Sequence, residues 1–374
     1  VVLKYRLEHS PIKDLYEKVE AGTRLSDADA LRLFETTDLY MLGAMANLVR
    51  ERKNGNFTYY NINRHIDYTN VCDTTCKFCA YSRFEGEEGA FEFTHQEILE
   101  KAKTAFEKEH ITELHIVGGL HPKYELDWYL TMLRMLKKEV PSVHLKCFTA
   151  VEIAYFANKF NMSYEEILST LKEAGLDSMP GGGAEIFHPE VREQICPGKA
   201  DADEWIKVHR AAHKLGLRTN ATMLFGHIEK YHHRVDHMRR LRELQDETGG
   251  FQTFIPLAFH PDHTAMDQFA RPSGMEDLKT LAVGRVYLDN FPHIKAYWIT
   301  LGARLAQLSL GYGVDDIDGT VIEENIYHMA GSDTPEIMTV QQLRQLIREA
   351  GRIPVERDTL YKELKPQSVT ATVG

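Results

Sequence analysis

The chain has 374 residues, 43% of them hydrophobic and 26% charged, with a formal net charge of −11. This supports a large buried core and excludes nucleic acid as the main partner, because phosphate binding rests on basic patches. No apolar run is long enough to span a bilayer, and the stretch VVLKYRLEHSPIKDL lacks the apolar core of a signal peptide, so a cytoplasmic protein without membrane partners is expected.

In chain order, residues 11–53 read as helical, with Ser26 and the acids after it as a helix start and Gly55 as a stop. From residue 57 short β-branched or aromatic runs alternate with helical runs. Strands are predicted at 58–66, 113–119, 144–152, 176–181, 219–226, 251–259, 293–301 and 312–319. Helices fall between them near 95–109, 125–138, 163–174, 202–214, 232–247, 275–289 and 302–309. Strict βα alternation implies a parallel sheet. Eight strands imply an α/β fold of the (β/α)₈ TIM-barrel type, and the weak fourth and eighth strands leave a partial, six-stranded barrel as the alternative. The expected organisation is an N-terminal helical extension (1–56), a barrel (57–320) and a C-terminal segment packed on it (321–374). The site of such a barrel lies at the C-terminal strand ends.

The chemistry begins just after the first strand, where Cys72, Cys76 and Cys79 crowd into eight residues. Five cysteines in all, an odd number, make a poor disulfide framework, and clustered thiols in a reducing compartment bind metal or react. Three thiolates can hold three corners of a cubane iron–sulfur cluster and leave the fourth iron open. Zinc is the competing reading. It wants four ligands, the fourth coming from His65, His121 or a distant cysteine. A ferredoxin would need a fourth cysteine. Cys147 and Cys196 lie apart and are expected to stay out of the cluster. Further along, Gly118 and Gly119 end the second strand, Glu152 ends the third, and Pro180 to Glu185 follows the fourth with a glycine triplet. Gly226 and Glu229 follow the fifth strand. His65, His121, His227 and His260 all fall at or just after strand ends.

The motif CxxxCxxC, with the aromatic Phe78 before its last cysteine, resembles the signature of the radical S-adenosylmethionine (SAM) superfamily. The resemblance implies a [4Fe–4S] cluster on Cys72, Cys76 and Cys79, with SAM on the open iron. It implies SAM contacts from Phe78, Gly118, Gly119, Glu152, Gly226 and Glu229, although Thr222 stands where the GxIxGxxE pattern has its first glycine. Longer stretches (RLSDADALRLFE, YYNINRHIDYTNVC, HIVGGLHP, LDSMPGGGAEIF, TNATMLFGHIE, LQDETGGFQTFIPL and DGTVIEENIYHMAG) resemble the aminofutalosine synthase family of menaquinone biosynthesis.

That resemblance implies a transferase that consumes SAM as co-substrate. The 5′-deoxyadenosyl radical adds to 3-[(1-carboxyvinyl)oxy]benzoate, and rearrangement and decarboxylation follow. A flavodoxin or ferredoxin-type reductant is implied as partner. Hydrogen-abstracting relatives, such as the cyclic dehypoxanthinyl futalosine synthase or the deazaflavin-forming enzymes, are the alternative, and a non-catalytic metal-binding scaffold is the alternative of another class. The dianionic substrate should be met by arginine, whose planar fork matches a carboxylate. Arg64 and Arg304 are the leading candidates, with Arg192 and Lys199 behind them and His65, His121 and His227 as further substrate contacts. Tyr68, Phe148, Tyr297 and Trp298 are candidates to pack the ring.

Overall fold

A computed structural model describes residues 7–364. Helices α1 (Lys13–Glu20), α2 (Asp27–Glu35) and α3 (Leu39–Asn54) precede the first strand. The start of α2 is a capping box in which Ser26 and Asp29 exchange hydrogen bonds. Gly55 ends α3 in a positive-φ conformation.

Strands β1 (Phe57–Asn61) and β2 (Asn63–Asp67) are one extended run interrupted at Ile62. β2 opens a seven-stranded parallel sheet in simple sequence order. It continues through β3 (Glu113–Val117), β4 (His144–Cys147), β5 (Ser178–Met179), β6 (Arg218–Phe225), β7 (Phe251–Ala258) and β8 (His293–Ile294). Between them run α4 (His95–Glu109), α5 (Leu126–Glu139), α6 (Ala150–Phe160), α7 (Tyr164–Ala174), α8 (Pro189–Ile195), α9 (Ala202–Lys214), α10 (Tyr231–Thr248) and α11 (Gly274–Tyr287). After β8 come α12 (Trp298–Leu301), α13 (Ala303–Ser309), β9 (Asp316–Gly319), α14 (Ile326–Met329), α15 (Val340–Glu349) and β10 (Ile353–Glu356).

β9 completes the ring. Parallel bridges join Lys295 to Asp316 and Arg64 to Ile322, which places β9 and the residues after it between β8 and β2. β1 pairs with β9 on one side and β10 on the other. The α/β barrel fold is therefore present, with its last stave held by bridges instead of a continuous ladder. No described helix is long and apolar enough to cross a membrane.

Two of the predicted strands run into helix. β4 stops at Cys147, and Ala150–Phe160 is helix. The β-branched run there reads as strand, but Thr149 and Glu152 form a capping box that starts α6. β8 covers two residues, and the rest of the predicted 293–301 strand turns into α12.

Candidate active site

A cavity of about 310 Å³ opens at the C-terminal ends of the strands and reaches into the barrel. Cys72, Cys76 and Cys79 line it, all three as free, half-buried thiols. Their loop is stitched to its surroundings by backbone bonds: Cys72 N–H to Arg83 C=O (2.9 Å), Asp73 N–H to Leu120 C=O (2.9 Å) and Lys77 N–H to Ile195 C=O (2.8 Å). Two sulfurs already accept amide hydrogens, Cys72 from Leu120 and Cys79 from Ser82, both at 3.4 Å. Burial pushes the Cys76 thiol up to about 12, against the pull of the Lys199 ammonium. Metal binding releases the thiol protons.

The donor set fits an iron–sulfur cluster. Three soft sulfur ligands line one cavity, the number that holds three irons of a cubane and leaves the fourth open. Cys147 is buried in β4 and Cys196 is buried after α8. His121 stacks on Tyr124 at 3.7 Å, its Nδ1 accepts two backbone N–H groups, and it lies outside the cavity lining. Among the described residues, the group whose ligand atoms all lie within 4.8 Å of one another is His188, Glu190 and His233. In the group of His188, Glu190 and His233, Nδ1 of His233 accepts the Lys230 N–H at 3.1 Å. That leaves the proton on Nε2, the atom facing Glu190 at 3.7 Å, the wrong tautomer for a metal.

The comparisons agree with this geometry. Residues 66–241 match the radical SAM superfamily, and residues 248–369 match the CofH/MqnC C-terminal region. An aminodeoxyfutalosine synthase of Thermus thermophilus is 52% identical over 93% of this chain and 95% of its own length. One from Streptomyces coelicolor is 46% identical over 94% of each. The chain belongs to the radical SAM superfamily. A crystal structure of methylornithine synthase shares the fold, with a TM-score of 0.72 at 18% identity over 91% of this chain and 97% of that one.

Against that family background the remaining residues sort by position. Phe78, Gly118, Gly119 and Glu152 line the cavity. A Cβ on Gly118 would meet the Tyr68 ring at 2.6 Å, and one on Gly119 the Val71 carbonyl oxygen at 2.1 Å. Gly119 lets the loop that carries Cys72 lie against the end of β3, and Gly118 makes room for the Tyr68 ring. Glu152 is not at a strand end. It is buried at the start of α6, and its carboxylate accepts four hydrogens: from Tyr68 OH (2.9 Å), Gly118 N–H (3.3 Å), Thr149 N–H (2.7 Å) and Thr149 OH (2.8 Å). Both its oxygens are fully used. Burial raises it to about 7, against those bonds.

Gly226, His227 and Glu229 lie outside the lining. Glu229 takes the N–H groups of Gly226 (2.6 Å) and His227 (2.9 Å) and pairs with Arg234 at 2.6 Å. His227 Nε2 is tied to the Leu224 carbonyl at 3.2 Å. Together they fix the turn at the end of β6. The glycine triplet does reach the cavity. Glu185, at φ 48°, holds Lys199 at 2.6 Å, and Lys199 also stands 5.2 Å over the Phe78 ring.

The arginines are elsewhere. Arg64 is buried against Glu109 and Glu323 and does not line the cavity. Arg304 is exposed on α13. Arg192 donates to the carbonyls of Ala184, Gly183 and Ala200. Of the ring-packing candidates, Tyr297 lines the cavity, whereas Tyr68, Phe148 and Trp298 are buried outside its lining. The cations that line it are lysines: Lys199 near the cluster loop, and Lys146 and Lys295, which the sequence reading missed. The signal for Lys146 was alternation. Glu113 and His115 on β3, and His144 and Lys146 on β4, recur with period two between apolar residues.

Proposed function

We propose that this enzyme joins the 5′-deoxyadenosyl group of SAM to the enolpyruvyl carbon of 3-[(1-carboxyvinyl)oxy]benzoate, with rearrangement and decarboxylation, giving aminodeoxyfutalosine. The observation that carries this reading is the 52% and 46% identity to two aminodeoxyfutalosine synthases across nearly the whole chain, joined to three free thiols on one cavity wall. When bound by Cys72, Cys76 and Cys79, a [4Fe–4S] cluster supplies the electron that cleaves SAM to methionine and the radical.

The chain's own residues provide placement. Gly118, Gly119 and the Gly181 to Gly183 run bring bare backbone to the cavity wall, where SAM can lie close. Glu152 fixes Gly118 through its N–H and is a positioning residue. Val117, Leu224, Ile255, Leu257 and Phe259 make an apolar wall that excludes water. A primary carbon radical attacks whatever is nearest, so holding the vinyl carbon against the 5′ carbon decides the product. A small flavodoxin or ferredoxin-type protein in the cytoplasm is the reductant in this reading.

The test is anaerobic reconstitution with iron and sulfide, followed by incubation with SAM, dithionite and the enolpyruvyl benzoate, read by mass spectrometry. The adenosyl adduct less one CO₂ is expected. Release of free 5′-deoxyadenosine with no adduct would move the enzyme to the hydrogen-abstracting relatives.

A further inference from the structure

We propose that the floor of the cavity is a carboxylate receptor built from lysine, in which Lys146 and Lys295 together hold one carboxylate of the substrate. Lys146, on β4, donates to Glu113 at 2.7 Å, and Lys295, just after β8, donates to Asp318 at 2.9 Å. All four residues are buried and all four line the cavity. An ammonium has three N–H donors, and each of these two finds one protein acceptor. Two donors on each remain for a ligand, and at 3% exposure neither lysine can spend them on bulk solvent.

The rest of the floor points the same way. His65 and His115 stack at 4.4 Å beside the lysines, and His65 Nε2 has no partner among the described residues. Tyr297 lies nearly parallel to His65 at 6.4 Å, and Tyr327 meets Tyr297 edge-on at 6.0 Å. That is an aromatic wall for a flat ring next to a site for its acid group. Asp318 holds a left-handed backbone, φ 62°, rarely adopted by a residue with a side chain. Its N–H is tied to Asp316 at 2.7 Å, and its carboxylate is thereby set against Lys295. Such strain collects at functional sites.

The choice of the benzoate as the acid rests on the proposed function, so the experiment separates the two. Calorimetry on the reconstituted holoenzyme measures binding of 3-[(1-carboxyvinyl)oxy]benzoate and of its benzamide counterpart, beside the turnover assay. Wild type should prefer the carboxylate by at least about tenfold, the worth of a charge-assisted hydrogen bond. Lys146→Met and Lys295→Met, shown folded by melting and by unchanged SAM affinity, should bring that ratio close to one. A wild-type ratio near one, or an undiminished ratio in both folded variants, overturns the proposal. Where breaking a buried pair unfolds the chain, Lys146→Met with Glu113→Leu, and Lys295→Met with Asp318→Asn, remove both charges and read the same ratio. A wild type that prefers the carboxylate yet makes no adenosyl adduct leaves the lysine floor standing and sinks the proposed reaction.

Discussion

Gly119 and Val71 touch backbone to backbone: a β-carbon on Gly119 would stand 2.1 Å from the Val71 carbonyl oxygen and 3.1 Å from the β-carbon of Cys72. The contact is sealed by Gly119 N–H to Thr69 C=O at 2.9 Å and by Leu120 N–H to the Cys72 sulfur at 3.4 Å. Backbone cannot yield as a side chain can. Gly119→Ala should therefore shift the loop that carries Cys72 and lower iron loading after reconstitution, with SAM affinity falling as a consequence. Gly118→Ala presses only on the Tyr68 ring and should keep more iron. Iron and sulfide analysis of the two variants compares them, and equal, full loading in both would show that the loop adapts.

The five cysteines should divide three against two. Serine at 72, 76 or 79 should each abolish the cluster's absorbance and all SAM cleavage. Cys147 is fully buried in β4, so Cys147→Ser should load iron normally but melt lower, since a buried hydroxyl without a partner costs about 1–3 kcal/mol. Loss of the cluster in a folded Cys147→Ser protein would reopen the ligand assignment.

What was legible in the sequence was local. Cysteine spacing and the glycine pair act within a few residues, and both meet at one cavity wall. The carboxylate clamp was not legible, for two reasons. Arg64 and His65 are neighbours on β2, so when His65 faces the cavity, Arg64 must face the helices, where it meets Glu109 at 3.7 Å. The Lys295–Asp318 pair joins residues 23 apart across a loop and two short helices, and no local pattern announces it. Glu152 was misplaced because a capping box and a strand end look alike when Thr149, Ala150 and Val151 precede the acid.

Asp67 gives the chain a pH dependence of known sign. Burial, with help from Glu324, raises it from 3.8 to about 8. Below the lower value both folded and unfolded forms carry the proton, and stability is unaffected by this group. As pH rises from there to about 8, the unfolded chain loses its proton first, so stability falls. Asn325 donates twice to Oδ2, both at 3.2 Å, while Oδ1 has no partner. Asp67→Asn can keep the Asn325 bonds and removes the ionisation. The cluster-free variant should lose less melting temperature than wild type between pH 5 and 8, a difference of about 3 °C or more. Parallel melting curves over that range would show that Asp67 does not titrate as its burial implies.

Lys199 stands over the Phe78 ring at 5.2 Å, and Phe78 lies between Cys76 and Cys79 in the chain. Its ammonium bonds Glu185 at 2.6 Å and opposes the rise of the Cys76 thiol. It therefore faces the cluster loop, whereas Lys146 and Lys295 line the floor. A reduced cluster carries one more negative charge than an oxidised one, so a nearby buried cation favours reduction. Removing that cation should make the bound cluster harder to reduce. At an effective dielectric near 20, one charge within roughly 10 Å is worth on the order of 50–100 mV for a one-electron couple. A redox titration of reconstituted protein followed by electron paramagnetic resonance should give Lys199→Met a midpoint more negative by that amount, with Lys199→Arg returning most of it. A purely structural lysine behaves differently: Lys199→Met would then bind less iron and melt earlier, but the cluster that remained would titrate at the wild-type potential. That second pattern would confine Lys199 to bracing the loop through Glu185.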